Sequence, residues 1–170
     1  PGHGNTSVDS HSSLPIINSP LFDLNNIELK PFKSAVKNNV KMMMMAHIAV
    51  PALDPLIRPA SHSYEITTDL LINNWNFKGL IITDGMEMGG ITQEAWSGEA
   101  AIRAIEAGSD IILLPIDVEK TIESIYDAIL SNRINEDRIN LSVSKILNSK
   151  FELNLFDYEF NFKNMTSIIG

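Results

Sequence analysis

The sequence predicts an α/β fold built on parallel strands, and three observations carry that expectation. Three short apolar runs, 40–48, 79–83 and 110–114, are of strand length and nearly continuous rather than alternating, the pattern of strands covered on both faces. Segments with helical spacing lie between them. Alternation of strand and helix implies helical crossovers between parallel strands, which close as an eight-stranded barrel or spread as an open doubly wound sheet.

Each element has its own justification. The chain opens on a polar loop, PGHGNTSVDSH, which Gly2 and Gly4 allow to bend. Residues 23–39 place Leu24, Ile27, Phe32, Ala35 and Val36 at spacings near three and four, with Pro31 limiting where the regular part starts. The first apolar run follows; its four methionines suit a buried strand but also a short helix. Residues 67–75 carry Leu70, Leu71 and Trp75, with Thr67 or Thr68 as the expected N-cap. After the second run, residues 92–107 read as a helix stopped by Gly108. After the third, residues 118–130 and 136–150 read as two further helices, the last with Ile139, Val143, Ile146 and Leu147 on one face. The tail 158–170 loses the helical pattern and reads as a linker or a loosely held end, leaving 1–157 as one domain.

Composition narrows the function. A chain of 170 residues, 44% hydrophobic and 20% charged, can bury a real core. A net charge of −8 offers no basic patch to neutralise phosphates, so a nucleic-acid partner is not expected. The absence of cysteine excludes disulfides and thiolate chemistry. No apolar run approaches the ~20 residues that span a bilayer. No H-E-x-x-H or cysteine pair fixes a ligand set, so neither a metal nor another cofactor is expected.

In parallel α/β folds the reactive groups gather where strands end and loops begin. Two strand ends are chemically loaded here. The first run leads into His47, either a satisfied core histidine or a pocket wall, and the second leads into Asp84, followed by Gly85. A carboxylate directly after a buried strand suits a nucleophile or metal ligand; the alternative is a helix cap. In the opening loop, Asp9 stands two residues before His11, so its carboxylate can take one ring N–H and raise the basicity of the other nitrogen, as a proton shuttle needs. The plainer reading is a surface loop with a local hydrogen bond. His3, between two glycines, can brace that loop, and His62, in the polar stretch PASHS, is expected in solvent.

Taken in order, PGHG, DSH, Leu14-Pro15, a strand ending MAH, RPAS and GLIITDGMEMGGI resemble the catalytic domain of glycoside hydrolase family 3, and within it the bacterial β-N-acetylglucosaminidase branch. The resemblance runs from Pro1 to about Phe156, where KILNSKFELNLF is similar to the closing helix of the family's barrel. It implies that Asp84 is the nucleophile of a retaining double displacement, His11 the general acid/base and Asp9 the carboxylate that orients it. It further assigns His3, His47 and Met86 to contacts with the sugar. The implied substrate is an amino-sugar oligosaccharide or muropeptide. Because the shuttle is a histidine rather than a second carboxylate, phosphate in place of water is also open.

The same resemblance places the three strands as about the sixth to eighth of a (β/α)8 TIM barrel. Its N-terminal half, with the Lys-His pair that precedes PGHG in the family, is then absent. The expectation is a fragment with little activity alone, or a swapped dimer that completes the barrel. Outside enzymes, the alternative is an α/β module that binds a sugar or a protein; within the family, it is a β-glucosidase.

Overall fold

A three-stranded parallel sheet of order β1-β2-β3 organises the computed structural model, which describes residues 2–88 and 96–156. β1 is Met42–Met45, β2 Leu80–Gly85 and β3 Ile111–Leu113. The three apolar runs are therefore strands, and the methionine run is not a helix. β1 and β2 pair from Met42↔Leu80 to Met45↔Thr83 without a break. β2 and β3 pair at Ile82↔Ile111 and Gly85↔Leu113, with a register shift between. Thr83 fills that gap: its hydroxyl oxygen accepts the Leu113 N–H at 3.0 Å.

The helices are α1 Leu21–Asn26, α2 Lys30–Lys37, α3 Ser97–Ala107, α4 Val118–Leu130 and α5 Glu136–Glu152, with a π-helix over Glu65–Asn74 and a 3-10 turn at Ala60–His62. The single helix expected over 23–39 is two, because Pro31 sits in the first turn of α2, where its missing N–H costs nothing, and not in a helix interior. Thr67 and Thr68 are not N-caps. Ser63 does that work, its Oγ accepting the Ile66 N–H at 3.2 Å. The two threonines lie inside the helix and donate outward, Thr67 to the Ala60 carbonyl at 3.0 Å and Thr68 to the Ala107 carbonyl at 2.7 Å. α3 ends as expected at Gly108, whose φ of +124° excludes most side chains, but it starts at Ser97 after an extended Trp96 rather than at 92; residues 92–95 of the expected helix lie outside the described residues. α4 keeps its expected bounds, with Asp117 accepting the Lys120 N–H. No helix among the described residues is long and apolar enough to cross a membrane. The expected tail, 158–170, lies outside the described residues.

One face of the sheet carries the core. Met43, Met45 and Ile81 pack with Leu24, Leu29, Ile66, Leu71 and Phe77. The expectation of burial on both faces is corrected at β1: Met42 is 43% exposed and Met44 47%. Side chains alternate along a strand, and among the described residues the helices cover only the Met43–Met45 side.

The sheet is locked at its N-terminal edge by Asp110, whose side chain is almost wholly buried. Its Oδ2 accepts the Ile81 N–H at 3.0 Å and Lys145 Nζ at 2.9 Å, and its Oδ1 accepts the Ser142 hydroxyl at 2.6 Å. Arg138, 3.5 Å away, completes the set. Removing the carboxylate leaves Lys145 and Arg138 without the anion between them and the Ile81 N–H without its side-chain acceptor. Asp110→Ala is expected to lower the unfolding free energy by about 3 kcal/mol, read as a shift in the urea midpoint; a change under about 0.5 kcal/mol overturns this account of the edge.

Candidate active site

Parallel pairing puts the C-terminal ends of all three strands along one edge, and Asp84 stands at the end of β2. By alternation it shares a face with Ile82, and by register with Met42 and Met44. That is the open face. Asp84 is half-buried, and its Oδ1 accepts the N–H of Gly85 at 2.9 Å. The described bond is thus to the next residue of the turn rather than to a helix terminus.

His47 lies just beyond β1 and is 0% exposed. Its Nε2 is 3.1 Å from the Gly85 carbonyl and its Nδ1 is 2.8 Å from Ser61 Oγ. Burial holds the imidazole below its ordinary pKa, partly offset by the Asp84 charge and the Gly85 carbonyl. Both nitrogens are occupied within the protein, so the ring presents no free polar atom for a sugar. Met86 is likewise fully buried and packs with Ala100 and Ile112. For these two residues the structure shows packing and support where the sequence reading expects sugar contact.

The opening loop is fastened beside the end of β1. Ile16 and Ala49 form a parallel bridge, with Ile17 N–H on the Ala49 carbonyl and Ala49 N–H on the Pro15 carbonyl, each at 2.9 Å. Gly4, at φ +52°, makes the bend, and a side chain there would also strike Glu28. Asp9 Oδ1 takes two hydrogen bonds from His11, the backbone N–H at 3.0 Å and ring Nδ1 at 2.8 Å. The backbone N–H contributes most, the ring next, to holding the Asp9 carboxyl below its usual range. This is the expected pair, and it is exposed. Among the described residues it makes no hydrogen bond to Asp84. His3 Nε2 lies 2.7 Å from the hydroxyl of buried Ser10, so it braces the loop.

Three features escape the sequence reading. Ser61, the partner of His47, has no signal of its own beyond the RPAS stretch. Leu114, at φ +47° directly after β3, holds a backbone region unusual for leucine and lies beside Gly85. The loop after β1 is anchored by buried Asp54, which accepts from Arg58 Nε at 2.6 Å, Ser63 Oγ at 2.6 Å and Leu56 N–H at 3.0 Å. Burial opposes that charge, yet the three donors hold the carboxyl below its ordinary value. No group of three or more potential metal ligands occurs among the described residues.

His62 corrects the expectation of a solvated residue. It is 6% exposed, in the 3-10 turn packed against α3, and among the described residues neither ring nitrogen has a partner at hydrogen-bond geometry. Burial first, then His47 and Arg103, depress its pKa to about 4. The polar letters around it are exposed in sequence only; in the fold they are covered.

Comparison with known proteins agrees with the motif order. The model of the glycosyl hydrolase family 3 N-terminal domain matches residues 1–149. Beta-hexosaminidase A of Pseudoalteromonas piscicida is 34% identical over 90% of this chain, which spans 29% of that protein. A family 3 β-N-acetylglucosaminidase from a Paenibacillus species superposes with a TM-score of 0.85 at 36% identity, over 88% of this chain and 29% of that one. CbsA of Thermotoga neapolitana gives 0.85 at 33% identity, over 99% of this chain and 38% of that one.

Burial of His62 fixes a pH dependence. The unfolded histidine binds a proton near its ordinary value of 6.5, which the folded one accepts only near 4. The contribution is therefore complete above pH 6.5 and is lost as pH falls through that window, by about 3 kcal/mol in all. Urea unfolding between pH 7 and 4 is expected to show this slope, and His62→Leu to flatten it; an equal slope in both proteins overturns the assignment.

Proposed function

The chain belongs to glycosyl hydrolase family 3, and from that membership we propose that it carries the reacting groups of a retaining glycosidase that removes β-linked N-acetylglucosamine. The observation that carries the reading is the Asp9–His11 hydrogen bond on a loop fastened beside the strand ends, where Asp84 stands. With Nδ1–H on Asp9, the ring keeps Nε2 for proton transfer.

In the first step the Asp84 carboxylate attacks the anomeric carbon while His11 gives its proton to the departing glycosidic oxygen. That breaks the bond to the leaving group and leaves a glycosyl ester on Asp84. His11, now neutral, takes a proton from water as the water oxygen attacks the same carbon and the ester bond breaks. Two inversions return the β configuration. Asp9 steadies the imidazolium that donates in the first step and is restored in the second. An amino-sugar oligosaccharide or muropeptide supplies such a bond, and the similarity to a beta-hexosaminidase and a β-N-acetylglucosaminidase supports an N-acetylglucosamine-containing substrate.

The open sheet face bears on completeness. Met42 and Met44 lie exposed on the face that carries Asp84, and the matched relatives are more than twice as long as the matched segment. We read this face as the inner wall of a (β/α)8 barrel, closed by strands that other segments supply. A pocket open on one side positions a sugar poorly, and positioning contributes much of the barrier lowering.

The test joins the chain to the complementary barrel segment of the Pseudoalteromonas relative and assays an aryl β-N-acetylglucosaminide. The chain alone is expected to show little turnover and the completed protein to show clear turnover. Asp84→Asn is expected to lower kcat at least ~10³-fold and His11→Ala about 10²–10⁴-fold. Undiminished turnover in Asp84→Asn removes the nucleophile assignment, and a strong preference for the aryl glucoside removes the substrate class.

A further inference from the structure

We propose that His47 is a positioning residue for Asp84: with its proton on Nε2 it holds the Gly85 carbonyl and, through Ser61, ties the end of β2 to the 3-10 turn. This rests on reading Asp84 as the reacting carboxylate. The tautomer follows from the partners. A carbonyl only accepts, so the nitrogen 3.1 Å from the Gly85 oxygen carries the hydrogen. A neutral imidazole has one N–H, so Nδ1 is the acceptor and the Ser61 hydroxyl, 2.8 Å away, is its donor. Ser61 is itself fixed, because the Ala60 N–H beside it donates to the Ile48 carbonyl at 2.9 Å. The ring therefore fastens the end of β2 to a turn that is already anchored behind β1.

The target of this contact is a residue that has no side chain to fix it. Gly85 is held instead through its backbone: its carbonyl receives His47 and the Met88 N–H, the latter at 3.2 Å. Its own N–H is the hydrogen-bond partner of Asp84 Oδ1 at 2.9 Å. A swing of Gly85 would carry that N–H, and with it the carboxylate, away from its set direction. Misplacement of a reacting group by ~1 Å costs on the order of 10²-fold in rate.

Two variants separate the ring's contacts. In His47→Gln the side-chain amide reaches the position of Nε2 and can still donate to Gly85. In His47→Asn it reaches only the position of Nδ1, keeping the Ser61 contact and losing the Gly85 one. In the completed enzyme, His47→Asn is expected to lower kcat at least ~10-fold with KM within ~2-fold, and His47→Gln to recover kcat to within ~3-fold of the parent. Equal kcat in both variants, whether high or low, overturns the proposal.

The chain alone gives an arm independent of turnover. Nitrogen NMR is expected to show His47 protonated on Nε2 at pH 7, and hydrogen exchange at the Gly85 N–H to be at least ~10-fold faster in His47→Asn but not in His47→Gln. Ser61→Ala, which disturbs packing least, is expected to raise the population protonated on Nδ1. A parent ring protonated on Nδ1, or unchanged Gly85 exchange in His47→Asn, overturns the proposal. If these signatures hold while Asp84→Asn keeps full activity, the lock stands and the reading of Asp84 as nucleophile falls.

Discussion

The structure depends on one buried carboxylate. Asp110 stands at the start of β3, yet its oxygens take the Ile81 N–H of β2 and side chains from α5. A single group thereby fixes where two neighbouring parallel strands begin and seats the last helix against them. With those starting points set, the β1–β2 register and the Thr83 bond across the β2–β3 shift carry the order to the far edge, where Asp84, His47 and Leu114 lie around Gly85. Stability sits at one edge of the sheet and the candidate reactive groups at the other, the division that parallel α/β folds share. Lys145 reinforces the first edge by also donating to the Gly79 carbonyl just before β2.

Strands and most helices were legible because their signals are local. A nearly continuous apolar run reads as a buried strand wherever it lies, and Gly108 stops α3 for a reason contained in its own φ. The misreadings come where tertiary contacts decide. Thr67 and Thr68 resemble caps by residue type, but the nearby Ala60 and Ala107 carbonyls give their hydroxyls better use inside the helix. Burial of both faces follows from apolar content alone, and content does not say whether a second layer of protein is present. For Met42 and Met44 no such layer exists among the described residues.

The candidate site divides along the same line. Asp9 and His11 were legible because a two-residue spacing is enough to make their hydrogen bond. Asp84 was legible from its place after a buried run. Ser61 was not, since its partner is fourteen residues away and the pairing exists only once the loop has folded back. His62 shows the converse. A histidine flanked by serines reads as solvated, but the 3-10 turn places it under α3 with no hydrogen-bond partner for its ring among the described residues. That location explains both its depressed pKa and its neighbour's constraint, because Ser61 and His62 occupy consecutive positions of one short turn.

The two groups to which the proposed reaction gives the roles of nucleophile and proton shuttle are carried in physically different ways, and that reaction would use the difference. A nucleophile acts along one line toward one carbon, so it gains from immobility. Asp84 has it: a position at the end of the central strand, a hydrogen bond to its own following amide, and Gly85 held by His47 and Met88. A proton shuttle must first face a leaving oxygen and then an incoming water, so some freedom of the whole group is useful while its tautomer must not change. The Asp9–His11 pair meets both conditions. It is locked internally by two hydrogen bonds to one carboxylate oxygen and stands exposed on a loop fastened where the chain leaves it, at Ile16 and Ile17. Exchanging the carriers would defeat both tasks. A nucleophile on that loop would sample directions away from the carbon, and a histidine at the strand end would be held to one face of the reaction. On the proposed assignment, each group thus has the stiffness that its step would need.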